Sequence, residues 1–347
     1  MLTVLNDLHI GAQRTGGTTP LTQWQLRRSI ISQVDELVSG VDTDLLVLGD
    51  LFDTHMVPFS DWLAAWQIFG TWLAAHPKQH LWLVAGNHDL SKTSTTVGSL
   101  QALGAVLADR CSNVTLVLEP TEFEYGYIVP HLANQALFDL ALDQVPDMTG
   151  VLYLHCNYDN NFAVQADQSL NLSADRAEVF TARGTQIVIA HEHQTKLVGK
   201  KIWIPGNQVA TSVSDCMGTD QKRLLTVSDA GVLHLHPVCP VDHLLSRQDW
   251  RALAETDLPF VRVEGEAGAA EAADVVARIS KYRAQSKALV ITNAVKIKLD
   301  DGLAGQFATS LESVKSFDVM SALREILTPK EYEIVLRLKQ TKGAQQC

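Results

Sequence analysis

Cysteine is scarce in this chain. Five are scattered over 347 residues, at Cys111, Cys156, Cys216, Cys239 and Cys347. The number is odd and no CxxC pair occurs, which argues against a disulfide scaffold and a thiolate zinc site. They read as reduced thiols, and the expected location is the cytoplasm. Long hydrophobic runs are also missing. No stretch approaches the ~18 apolar residues of a membrane span. The opening "MLTVLNDLH" has neither the basic start nor the apolar length of a secretory leader. No membrane partner is expected. Positive charge is in short supply, with 28 Lys and Arg against 39 Asp and Glu and a formal net charge of −11. A stand-alone, charge-driven nucleic-acid binder would normally be basic. A nuclease stays open, because bound cations can dominate the field at a site. The loop "RTGGTTP" lacks the GK[ST] of a phosphate-binding P-loop. Internal repeats and low-complexity tracts are absent.

What is present is globular: 46% hydrophobic and 19% charged residues, enough for two or three domains. Short apolar runs alternate with amphipathic helical patterns to about residue 235. "LTVLND", "DLLVLGD", "HLWLVAGNHD", "VTLVLE", "YGYIVP", "GVLYLHCN" and "TQIVIAHEH" read as strands. "TQWQLRRSIISQVDELV" reads as a helix with Trp24, Ile30, Ile31, Val34 and Leu37 inward. "SDWLAAWQIFGTWLAA" reads as another, with Ser60 as N-cap. "RLLTVSDAGVLHLHPV" has the pattern of a hairpin turning at Asp229-Ala230-Gly231. The order implies β-α-β units feeding sheets covered by helices. Near residue 240 the composition shifts. "CPVDHLLSRQDW" reads as a linker, followed by a strand-helix-strand unit through "KALVITNAVKIKL". Two amphipathic helices close the chain. The first carries Phe317, Met320, Leu323, Ile326 and Leu327, and the second begins with a capping box at Thr328 to Glu331. They either pack back on the body or dock on a partner.

Five polar clusters follow apolar strands: Asp7 and His9 in "NDLHIG", Asp50 and Asp53 in "LGDLFD", Asn87, His88 and Asp89 in "AGNHD", His155 in "YLHCN", and His191 and His193 in "AHEH". Each alone is weak. A GDxxD is as readily a turn with a solvated carboxylate, and one histidine on a strand is commonly a satisfied core residue. Together they supply carboxylate, amide oxygen and imidazole without thiolate. That mixture suits Mn²⁺, Fe²⁺ or Zn²⁺. Seven ligands exceed what one tetrahedral ion uses, and fit two ions ~3.5–4 Å apart that share a carboxylate. His191 and His193, spaced as i and i+2, would leave a strand on one face and could serve either ion.

The motifs D-x-H, G-D-x-x-D, G-N-H-D, H and [GA]-H-x-H resemble those of the calcineurin-like metallophosphoesterases over about the first 235 residues. Ala190 is a departure, since the family usually has glycine there. The resemblance implies a four-layer α/β/β/α sandwich. It implies Asp7, His9, Asp50 and His193 as ligands of one metal, and Asp50, Asn87, His155 and His191 as ligands of the second. His88 then assists the leaving oxygen and Asp89 orients His88, while Asp53 stands behind the ligands. Two segments, "GDLFDTHMVP" and "IPGNQVATSVSD", further resemble the SbcD-type double-strand-break repair nucleases. That likeness implies a phosphoesterase domain over 1–240, a small α/β capping domain over 241–305, and a C-terminal helical pair over 306–347 that docks on an SbcC-type coiled-coil ABC ATPase. It implies two divalent ions, Mn²⁺ first and Mg²⁺, Fe²⁺ or Zn²⁺ as alternatives. The activity implied is 3′→5′ exonuclease on duplex DNA ends and endonuclease on single strands, with a metal-bridging hydroxide as nucleophile. A homodimer is a further assembly to consider. Arg14, Lys196, Lys200 and Lys201 are candidate phosphate contacts, though each also reads as an ordinary solvated cation. His55 and His131 could line the cleft, though each reads first as a loop histidine without a catalytic role, and His234 and His236 read as structural. The competing readings are a phosphatase with the same metal core and a mainly regulatory subunit of the ATPase.

Overall fold

The computed structural model describes residues 1–14, 17–91, 96–160 and 169–298. The two C-terminal helices expected from sequence lie outside the described residues. In chain order the first half runs β1 (Leu2–Leu5), α1 (Pro20–Ser39), β2 (Asp44–Leu48), α2 (Phe59–Ala75), β3 (Leu81–Val84), α3 (Ser99–Arg110) and β4 (Val114–Val117). The second runs β5 (Thr121–Phe123), β6 (Gly126–Val129), α4 (Gln135–Asp143), β7 (Val151–His155), β8 (Asn157–Tyr158), β9 (Asn171–Leu172), α5 (Ala174–Ala182), β10 (Gln186–Ala190), β11 (Lys196–Val198) and β12 (Ile202–Ile204). There follow β13 (Gln221–Val227), β14 (Leu233–Pro240), β15 (Leu245–Asp249), β16 (Phe260–Glu264), β17 (Glu266–Gly268), α6 (Ala272–Gln285), β18 (Val290–Asn293) and β19 (Lys296–Lys298).

Two six-stranded sheets form, in the orders β14-β13-β1-β2-β3-β4 and β11-β12-β10-β7-β6-β5. Their central strands are parallel. A parallel strand is buried on both faces, which is why these segments are unbroken apolar runs. Side chains alternate between two cores. Leu45 and Val47 of β2 face α1, α2 and α3, whereas Leu46 and Leu48 face the second sheet. In β10, Ile187 and Ile189 pack under α4 and α5, while Val188 and Ala190 face the first sheet. The result is four layers, helix, sheet, sheet, helix. Ala190 lies fully buried between the sheets.

Three local expectations change. Trp24 is exposed, because α1 buries the stripe Thr22, Leu26, Ile30, Val34, Val38 at i+4 spacing and Trp24 falls off it. Helix α2 starts at Phe59 after Pro58, so Ser60 lies in its first turn and does not cap it. "CPVDHLLSRQDW" is not a linker: it holds β15, which pairs in parallel with β16. As an edge strand of a three-stranded sheet, β15 is mostly polar and carries no hydrophobic periodicity.

The chain forms two compact units. One contains Met1–Gly265 and Ala277–Ala294, including the sheet β15-β16-β18. The other contains Glu266–Val276 and the described residues from Val295, where β17 pairs with β19.

Candidate metal centre

The C-terminal ends of β1, β2 and β3 in one sheet and of β7 and β10 in the other open toward one place. Open α/β sheets put sites there, because the strands end and their backbones turn away. Each candidate donor sits at or just past such an end: Asp7 and His9 after β1, Asp50 after β2, Asn87 and His88 after β3, His155 closing β7, and His191 and His193 after β10.

The turns that aim these side chains are strained. Asp7, His9, Asp50 and His191 have φ of 51°, 47°, 50° and 87°. Such left-handed backbone is uncommon outside glycine and gathers at functional sites. It also corrects the expectation for "AHEH". Strand β10 stops at Ala190, so His191 and His193 do not leave on a shared strand face. The turn at His191 sends their rings to different partners.

On one side, His9 Nε2 and His193 Nε2 face each other at 3.1 Å. Asp7 presents Oδ1, which is buried without a hydrogen-bond partner. Its other oxygen is held by Asn6 Nδ2 at 2.6 Å and by the His191 backbone N–H at 2.9 Å. On the other side, Asn87 Oδ1 lies 3.0 Å from His155 Nε2 and 2.9 Å from His191 Nδ1. Asp50 Oδ2 is 3.4 Å from His155 Nε2. Three groups of donors each gather within 4.8 Å: Asp7, His9 and His193; Asp50, His155 and His191; and His9, Asp50 and His88. Asp50 thus stands between the two sides. Two imidazole nitrogens 3.1 Å apart, an orphaned buried carboxylate oxygen and an amide oxygen between two rings form a donor set made for divalent cations.

The rings are preset for this. His155 Nδ1 faces the Leu48 carbonyl at 3.1 Å, and His193 Nδ1 faces Asp215 Oδ1 at 2.9 Å. Each outer bond fixes the proton on Nδ1 and turns Nε2, with its lone pair, inward. His9 Nδ1 is 3.4 Å from Asp53 Oδ1, an ionic distance without a hydrogen bond. Asp53 also takes Arg14 Nη1 at 3.0 Å. Burial alone would raise the Asp53 carboxyl, but His9 and Arg14 outweigh it and hold it at about 2. For His155, burial opposes charge, yet the adjacent Asp50 carboxylate lifts the imidazole to about 9. Burial dominates at His191, which is pushed down to about 4. A cation would take over the charge balance that protons provide at His155.

His88 is exposed at the rim. Its backbone N–H donates to Asp50 Oδ1 at 2.9 Å, and its Nδ1 lies 2.6 Å from the Asp53 carbonyl. The ring's Nε2 is therefore the end left to face a substrate. The expected Asp89–His88 contact is not made. Asp89 is fully buried and accepts the backbone N–H groups of Phe52 at 3.1 Å and Gly86 at 3.0 Å. It fastens the two ligand-bearing loops to each other, and burial beside Asp50 pushes its carboxyl up to about 6. The Asp53 carbonyl holds the His88 ring instead.

Sequence reading missed several supports. Asp215 sits in a 3₁₀ turn at Ser214–Cys216 and accepts from His193, Asn207, Thr211 and Ser212. Lys222, at 1% exposure, donates to the Asp215 carbonyl at 2.6 Å and to Asn207 Oδ1. Glu192 has a role too, accepting the Tyr158 N–H at 2.8 Å. Asp215 ends the quoted "IPGNQVATSVSD", which was the one available signal. His131 packs edge-on to His155 with ring centres 6.4 Å apart. Two glycines are fixed by close approach. A Cβ at Gly49, whose φ is +84°, would come 2.0 Å from His155 Nδ1, and one at Gly86 2.2 Å from Asp50 Oδ1.

The family model for calcineurin-like phosphoesterases matches residues 1–218. No curated protein matches the chain. Among the described residues, no helix is long and apolar enough to cross a membrane.

Proposed function

The chain belongs to the calcineurin-like phosphoesterase family, and from that premise we propose that it is a metal-dependent DNA nuclease, the catalytic subunit of an SbcC-type ATPase complex. The observation that carries hydrolysis of a phosphoester is the grouping of six donors on two sides of Asp50. Asp7, His9, Asp50 and His193 would hold one divalent ion, and Asp50, Asn87, His155 and His191 the other. Ions bound in such a pair supply Lewis acidity toward a phosphoryl oxygen and a water-derived nucleophile at neutral pH. The protein's own residues do the rest. Asp215 and the Leu48 carbonyl fix imidazole tautomers. Asp89 locks the loops after β2 and β3 together. His88, steadied on the Asp53 carbonyl, presents Nε2 to protonate the departing sugar oxygen.

The choice of DNA is supported by the segments "GDLFDTHMVP" and "IPGNQVATSVSD" and by the strand-helix-strand elements β16, α6 and β18 beyond the family match. Mn²⁺ is the proposed metal, and the C-terminal 306–347 segment the proposed ATPase dock. The deciding test incubates the full chain with end-labelled duplex and single-stranded DNA in Mn²⁺, Mg²⁺ or chelator, beside a chromogenic phosphomonoester. Metal-dependent DNA cleavage is expected. Turnover of the monoester alone would refute the proposal.

A further inference from the structure

Strand β6 runs parallel to β7, with Val129 level with Leu154. The two strands therefore end at the same rim, where β7 delivers His155. Pro130, which has no backbone N–H to pair, follows the end of β6. The next residue is His131. Its backbone N–H donates to the Ala85 carbonyl at 2.9 Å, two residues before Asn87 in the chain. That bond ties the end of β6 in one sheet to the end of β3 in the other, at the crevice that holds the metal centre. The His131 ring stands edge-on to the His155 ring, with centres 6.4 Å apart and planes at 87°. A sixth strand end thus brings a histidine to the centre, and both its backbone and its ring are held there.

This imidazole is placed among the ligands without being one of them. Among the described residues it joins none of the three donor groups. The ring is half-buried, no described residue bonds either nitrogen, and neither nitrogen is sealed from solvent. A neutral imidazole offers one N–H donor, and positive charge nearby favours the neutral form. The two free imidazoles divide the centre between them. His88 adjoins His9, with ring centres 5.0 Å apart, whereas His131 adjoins His155. A phosphoryl group held between the two donor sides presents a leaving oxygen and charged non-bridging oxygens. His88 is assigned to the first. A non-bridging oxygen is a strong acceptor, because a hydrogen bond to an ionised group is about twice as strong as a neutral one.

We propose that His131 is a substrate-binding residue whose ring N–H holds a non-bridging oxygen of the phosphoryl group on the His155 side of the centre. This rests on the phosphoester-hydrolysis reading above and adds to it a contact that the donor set does not supply. The test compares the full-length wild type with His131→Ala, His131→Asn and His131→Gln, all loaded with Mn²⁺. Calorimetry follows the binding of orthophosphate and of Mn²⁺, and bis(p-nitrophenyl) phosphate serves as a small diester for kinetics. In His131→Ala, orthophosphate affinity should fall about 10–100-fold, the loss of one hydrogen bond to a charged group. KM for the diester should rise by a similar factor with kcat little changed, while Mn²⁺ affinity and the urea-unfolding midpoint stay at wild type. Asn or Gln, which place an N–H near one or other ring nitrogen, should recover part of the loss. Wild-type orthophosphate affinity and KM in the Ala variant would overturn the contact and leave the hydrolase reading standing. Loss of Mn²⁺ affinity in that variant would also overturn it, since His131 would then act through His155. So would a loss that neither Asn nor Gln relieves, which would assign the effect to packing. A wild-type chain that binds orthophosphate through His131 yet hydrolyses no phosphoester would remove the hydrolase reading and keep the contact.

Discussion

His193 Nδ1 and Asp215 Oδ1 lie 2.9 Å apart, which makes Asp215 the partner that decides which ring nitrogen faces the metal centre. Asp215 is nearly saturated by donors from Asn207, Thr211 and Ser212. Its carboxyl is buried, which alone would raise it, yet the His193 contact leads the effects that hold it far below the usual range. Replacing Asp215 with Asn removes the charge that favours Nδ1–H on His193. Mn²⁺ affinity should fall about 10–100-fold, read by titration calorimetry. An unchanged affinity would sink the orienting role.

Lys222 supports the same loop from beneath. Its ammonium is buried, and burial draws its pKa down. Lys222→Met leaves the Asp215 carbonyl and Asn207 Oδ1 without their donor. A loss of about 2–4 kcal/mol is expected from two unsatisfied buried acceptors, measured by urea unfolding. Stability within experimental scatter of wild type would contradict this account.

Gly49→Ala tests packing at the other side of the centre. The new Cβ would meet the His155 ring at 2.0 Å with φ at +84°. The ring must move, so activity should drop at least about 100-fold, the cost expected of a 1 Å misplacement. A variant with wild-type kcat would show that His155 is not held as described.

His88→Ala removes the exposed imidazole but none of the donors around Asn87 or His193. Loss of a general acid lowers kcat about 10²–10⁴-fold, with Mn²⁺ affinity retained. Full nuclease activity in this variant, metal bound, would eliminate the proton-donor role.

Asp53 sets an acid limb. Its folded pKa of about 2 lies below the ordinary 3.8, so the unfolded chain binds the proton more readily. The stabilisation is present above pH ~4 and lost as pH falls toward ~2, up to about 2 kcal/mol. Asp53→Asn should flatten this part of the stability–pH curve in chelator. A curve of wild-type steepness between pH 2 and 4 would count against it.

The sequence made the donors legible because parallel strands buried on both faces are unbroken apolar runs, and a polar residue ending such a run stands out. Asp7, Asp50, Asn87 and His191 were visible for that reason. Lys222 was not, because a lysine in "QKRLLTV" reads as solvated, and only the fold around Asn207 and Asp215 buries it. Asp89 was expected to orient His88, as a carboxylate commonly fixes a catalytic imidazole. In the fold its carboxylate turns inward to Gly86 and Phe52. The strand β15 was overlooked since Ser246, Arg247, Gln248 and Asp249 carry no apolar alternation.

The left-handed backbone at Asp7, His9, Asp50 and His191 sets selection for chemistry against selection for stability. Each such residue costs of order 1 kcal/mol, and glycine would adopt the same conformation without that cost. In the absence of metal, His191→Gly would recover part of that strain while removing a donor, whereas Asp50→Gly would also leave buried His155 and the His88 N–H without their partner. The strain at these four strand ends is thus held in the fold for the placement of the donors rather than for stability.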